Sequence, residues 1–164
     1  MKKGIYKRVI YFGVLLVMSL CITGCFKKEV KIGTIKNFHY SYSVGYAMNC
    51  NYEYDIKWNE DKLIARIKPN GVADENATII DIKEDDLRDL EEILKELRIG
   101  KWDGFKKSDK NVLDGNSFSL NIDFTDGTEI DASGYMKWPN NYKEFKDKVA
   151  IYFEDLLAKN KKKM

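Results

Sequence analysis

Few residues in this chain carry reactive chemistry: three cysteines and one histidine stand among 164 residues. His39 lies in Phe38-His39-Tyr40-Ser41-Tyr42-Ser43-Val44, where apolar and polar side chains alternate. That period places it on the polar face of a half-buried strand. An exposed imidazole can serve as a general base, but no activated nucleophile is read beside it. Cys50 shares the parity of Tyr52 and Tyr54, which aims its thiol at the core while His39 points out, so the two do not form a Cys/His pair. Glu53, Asp55, Asp123, Glu129 and Asp131 all fall on outward parities. Two carboxylates on one sheet face could do acid/base work, and a solvated face accounts for them without further assumption. Asp109, Asn111, Asp114 and Gly115 have the oxygen-rich look of a calcium loop, yet Leu113 stands where an oxygen ligand belongs and no bidentate glutamate closes it. With no Cys/His ligand set for zinc and no glycine-rich phosphate loop, neither a metal nor a cofactor is expected.

The first 25 residues carry the most specific signal. Met1 to Arg8 is cationic without acids, and Val9 to Ile22 is an apolar run broken only by Tyr11, Gly13 and Ser19. These are the charged and hydrophobic parts of an export signal. The run is shorter than the ~20 residues that span the hydrocarbon core, which favours a cleaved signal over a permanent transmembrane helix. It ends in Ile22-Thr23-Gly24-Cys25, which resembles the lipobox of bacterial lipoproteins position by position. The resemblance implies a diacylglyceryl thioether on the Cys25 sulfur, cleavage between Gly24 and Cys25, and attachment to the outer face of the cell membrane. Thiol chemistry suits that step because the soft sulfur is the nucleophile, and two acyl chains hold where one is marginal. Cys21 then leaves with the leader, and Cys50 remains without an intramolecular partner.

Charge excludes one class of partner. The formal net charge of +2 falls by four, to −2, when Lys2, Lys3, Lys7 and Arg8 are removed with the leader. Much of the remaining positive charge is in a tail, Lys159, Lys161, Lys162 and Lys163, read as a solvated terminus. Acids are interspersed almost everywhere else, so the basic stripe that nucleic-acid binding requires is missing.

These residues need a scaffold, and the pattern supplies one. Residues 25–36 read as a lipidated stalk and 37–158 as a single domain, followed by a basic tail over 159–164. Alternation predicts strands over Phe38 to Val44, Cys50 to Trp58, Leu63 to Lys68, Ala77 to Ile82, Ser117 to Phe124 and Thr128 to Ser133. Asp126-Gly127 predicts a two-residue hairpin turn between the last two. Between Glu84 and Arg98 the apolar period becomes three to four, with acids in the first turn, predicting a helix stopped by Gly100. A second helix is predicted from Tyr142 to about Lys159, with Asn141 and Glu144 as its capping pair. Strands, helix, hairpin and helix in that order argue for an α+β domain. Its antiparallel sheet has five or six strands, and both helices pack on one face.

Trp102-Asp103-Gly104-Phe105, Val112 to Gly115, Ser117 to Leu120 and Gly134 to Tyr142 together resemble a family of uncharacterised secreted or lipid-anchored domains from Gram-positive gut bacteria. The resemblance covers roughly residues 80 to 157 and implies a common fold, without an activity or a site. Trp102, Phe105, Tyr135 and Trp138 lie at the ends of regular elements, where loops carry binding surfaces. They form the candidate binding surface, able to stack on a glycan or grip an envelope protein; plugging the ends of the layers is the other use of such rings. The sequence therefore points to a membrane-anchored binding or accessory module, with no enzymatic motif. An envelope hydrolase using exposed carboxylates and a structural or inhibitory lipoprotein remain as alternatives.

Overall fold

The computed structural model describes residues 29–45 and 51–161. The leader, Gly24, Cys25 and Cys50 lie outside them, as do residues 162–164. Alternation produces strands where expected: β1 (Ile35–Ser43), β2 (Asn51–Asn59), β3 (Lys62–Lys68), β4 (Thr78–Asp81), β6 (Ser117–Phe124) and β7 (Glu129–Tyr135). The helices are α1 (Glu84–Glu96) and α2 (Tyr142–Lys161). A further short strand, β5 (Lys106–Ser108), was not expected. All seven strands form one sheet in the order β4-β3-β2-β1-β6-β7-β5.

The domain is α+β as the pattern predicts, but its sheet has seven strands and is mixed, because β5 runs parallel to β7. Nothing in Lys106-Lys107-Ser108 alternates, and all three residues are exposed. Such a strand exists only because β7 offers a free edge.

Period-two parity becomes a two-faced sheet. Phe38 and Tyr40 of β1, Tyr54 and Ile56 of β2, and Phe118, Leu120, Ile122 and Phe124 of β6 share one buried cluster with Leu87, Leu90 and Leu94 of α1 and Phe145, Val149 and Phe153 of α2. Each such side chain contributes about 1.5–3 kcal/mol on leaving water. The aromatic rings interlock: Tyr54 stacks on Phe153 at 4.5 Å between centroids, and Tyr40 meets Phe145 edge-on at 5.1 Å. Tyr40 and Tyr142 join hydroxyls at 2.9 Å inside this layer. Burial raises the phenol pKa of both tyrosines, so each stays neutral.

Five local expectations are corrected. Residues 29–36 are not all stalk: Ile32 and Ile35 are buried in the core, and the Val30 amide donates to the Gly100 carbonyl at 3.1 Å. Gly100 does not end α1, since the chain already turns at Arg98, whose φ is 57°. Glycine is needed there because a β-carbon would overlap the Val30 carbonyl oxygen. The β6–β7 hairpin is a three-residue loop in which Gly127 (φ 83°) alone takes the left-handed conformation, with Gly127 N bonded to Phe124 O and Phe124 N to Thr128 O. Asn141 is not a partner for Glu144; its side-chain amide donates to Leu97 O at 3.4 Å. The tail also begins later, because α2 continues to Lys161 and Asn160 donates to the Asp81 carbonyl.

Candidate functional site

Two surfaces gather polar chemistry. The first is the sheet face turned away from the helices. Register places Arg66, Asp55, His39, Asn121 and Asp131 side by side across five strands. His39 Nδ1 lies 2.6 Å from Asp55 Oδ1. Arg66 Nη1 donates to Asp55 Oδ2 at 3.1 Å and to Glu53 Oε2 at 3.0 Å. Lys68 is 6% exposed and reaches Asp74 at 2.6 Å and Glu53 at 3.5 Å. On the other side of β1, Asn37 donates to Asp123 at 2.8 Å, and Lys106 pairs with Asp131 at 2.6 Å.

These contacts determine protonation. The Asp55 hydrogen bond raises the His39 pKa against a smaller opposing effect of burial. Burial would push Asp55 up, yet hydrogen bonds from His39 and Arg66 together hold it below the usual carboxylate value. A general base is best with its pKa near the operating pH, and a general acid needs a raised carboxyl. Here the pairing shifts the histidine toward its charged form and the carboxylate toward its ionised form, which is the direction a structural ion pair takes. Four clefts among the described residues are lined by other side chains, and none of the four includes Glu53, Asp55, Asp123, Glu129 or Asp131. The Asp109 loop is likewise engaged: Asp109 accepts from the Asn111 amide at 3.1 Å and pairs with Lys137 at 2.9 Å.

The second surface is a cleft of about 640 Å³ at the end of the sheet where β1 and β6 meet β7's C-terminus. Its walls include Trp102, Phe105 and Trp138, three of the four aromatic residues singled out from sequence, together with Arg98, Lys101 and Lys107. The rings play different parts. Trp102 is 3% exposed, packs edge-on against Phe145 at 4.9 Å and donates from Nε1 to the Asn140 carbonyl at 3.1 Å. It is therefore core, offering the cleft only a rim. Phe105 is half-buried, with Lys107 Nζ 5.2 Å above its ring. Trp138, 37% exposed, stacks on Tyr142 at 4.6 Å and also meets the rings of Phe118 at 5.7 Å and Tyr42 at 6.2 Å. Tyr135 lies apart from these walls; its hydroxyl accepts from Gly115 N at 2.7 Å and donates to Val112 O at 3.1 Å, pinning the loop before β6.

No protein-family model and no curated protein sequence matches the chain. Function must therefore be argued from these side chains.

Sequence reading missed the cations. Arg66 and Lys68 alternate with Ala65 and Ile67, so their outward parity was legible, but their partners depend on register. Arg98, Lys101 and Lys107 flank Trp102 and Phe105 in the chain, and that adjacency was the available signal. No helix among the described residues is long and apolar enough to cross a membrane.

Proposed function

We propose that this chain is an extracytoplasmic lipoprotein, held by acyl chains on Cys25 and cleaved after Gly24, whose domain is a binding module working from the Trp138 cleft. The observation that carries the binding assignment is the make-up of that cleft. Exposed Trp138 and half-buried Phe105 converge there with Arg98, Lys101 and Lys107, groups that recognise by stacking and charge. Reactive pairs do not converge there, and Glu53, Asp55 and Asp131 of the sheet face are tied to cations instead of sharing a proton, which favours binding over hydrolysis. The export signal and the Ile22-Thr23-Gly24-Cys25 motif support the address.

Intact-mass analysis of the membrane-extracted protein tests the anchor. The expected product starts at Cys25 and carries diacylglyceryl mass, and Cys25→Ser releases the chain from membranes; an unmodified N-terminus in the membrane fraction would overturn it. For the binding reading, Trp138→Ala should weaken association with the envelope while costing only about 1 kcal/mol of stability. Unaltered association would remove the cleft from consideration.

A further inference from the structure

The domain's two exposed tryptophans stand at opposite ends of the sheet. Trp58 pairs with Leu63 at the end where β1 begins, and Trp138 follows Tyr135, which pairs with Ser117 at the end where β1 finishes. Each lines a cleft, of about 690 Å³ and 640 Å³ respectively among the described residues. The clefts differ in charge. Around Trp58 stand four acids, Asp61, Asp81, Glu84 and Asp85, against Lys62 and Lys83. The cleft that Trp138 shares with Phe105 is lined by Arg98, Lys101 and Lys107 and by no acid, while a second cleft beside Trp138 balances Glu144 and Asp147 with Lys143 and Lys148.

The N-terminal segment leaves the fold beside the basic cleft. Val30 is bonded to Gly100, and Glu29 Oε2 lies 2.7 Å from Arg98 Nη2, on the cleft's rim. Glu29 is the acid at this rim and is already neutralised by Arg98. Only three residues, Phe26, Lys27 and Lys28, separate it from Cys25, and the four extended steps between the two reach at most about 14 Å. A headgroup layer of roughly 5–8 Å takes up about half of that reach.

We propose that the Trp138 end is the membrane-facing surface of the anchored protein, and that its basic aromatic cleft takes the anionic headgroups of the bilayer that holds Cys25. This rests on the lipid-anchor reading and adds an orientation and an occupant to it. Charge selects the cleft, because an anionic leaflet attracts Lys101 and Lys107, while Arg98 is already matched to Glu29, and it repels the acids around Trp58. Trp138 supplies the ring that belongs at the level of the headgroups, apolar in its body and polar at its N–H. A short leash makes the encounter nearly intramolecular, so weak individual contacts suffice. The charged sheet face then stands at the side of the domain, clear of the bilayer.

The test uses the full chain, lipidated in a bacterium and reconstituted into phosphatidylglycerol-containing vesicles with brominated acyl chains. Flotation first establishes that the protein is held by its anchor. Trp58→Phe leaves Trp138 as the exposed reporter and should lose roughly two-fold of its emission; Trp138→Phe should lose little, since Trp58 stays in water. Reversing charge with Lys101→Glu and Lys107→Glu should bring the Trp138 signal to the unquenched level while flotation persists. Failure to float would defeat the anchor and this orientation with it. Flotation with Trp138 unquenched, with Trp58 quenched equally, or with quenching indifferent to charge reversal would overturn the orientation alone. Shielding of Trp138 by purified cell-wall glycan, but not by vesicles, would likewise overturn it and give the cleft to a saccharide.

Discussion

Trp102 and Trp138 are the same residue type, 36 positions apart in the chain, and they line one cleft with opposite duties. Trp102 fills the layer between sheet and α2, so Trp102→Ala should cost about 3–5 kcal/mol in urea unfolding, the usual penalty for emptying a large buried site. Trp138 is 37% exposed and packs on Tyr142, Phe118 and Tyr42 from the surface; its alanine variant should cost less than Trp102→Ala, about 1 kcal/mol. A reversed order would show that Trp138 is the core residue. His39 allows a second prediction. Its folded pKa is raised, so the stabilisation it supplies is complete below the unfolded value of about 6.5 and is lost as pH rises through the folded value. With 40% of the side chain exposed, the loss should stay below about 1 kcal/mol. Comparing His39→Gln with the parent chain near pH 5 and near pH 9 isolates it from the carboxylates: the parent's advantage should exist at the acidic end and vanish at the alkaline end.

Among the elements, the segment over residues 29–34 bears most on the proposed anchor, because it fixes where the chain toward Cys25 would leave the domain. It is held by Val30 on Gly100, by the burial of Ile32 and Ile35, and by the Ile35 amide donating to Glu91 Oε1 at 3.1 Å. Gly100→Ala would place a methyl group on the Val30 carbonyl, and overpacking of this kind typically costs about 1–3 kcal/mol. Hydrogen exchange should show the Val30 amide losing protection while β1 and β6 keep theirs. Retained protection at Val30 would mean that the segment is held elsewhere. The β6–β7 loop offers a local contrast: Gly127→Ala forces φ 83° on a residue with a β-carbon, so about 1 kcal/mol should be lost without any effect on the cleft.

For the molecule as a whole, the sheet sorts three environments. One face is buried under α1 and α2, the other carries cross-strand ion pairs, and the two ends carry clefts of opposite charge. Alternation along each strand made the two faces legible in the sequence, because period two reports directly which side of a pleat a residue occupies. The number of strands was less legible: β5 has no alternation of its own and forms only where β7 leaves an edge to be paired. The Arg66-Asp55-His39 row was illegible for the same reason. Parity put each residue on the outer face, but register made them neighbours, and β1 meets β6 across about eighty intervening residues.

What the amino-acid order determined by itself was therefore local: strand faces, helix stripes, a lack of reactive motifs, and a leader whose pattern resembles an export signal with a lipobox-like end. Tertiary structure alone decided that Trp102 is core while Trp138 is surface, that Glu53, Asp55 and Asp131 of the open face are matched by cations, and that the segment over residues 29–34 lies beside the basic cleft. Periodicity is a property of neighbours along the chain, and so it can be read from a string of residues. Exposure and pairing at the end of a sheet depend on which distant segment arrives there, and only the folded chain settles that.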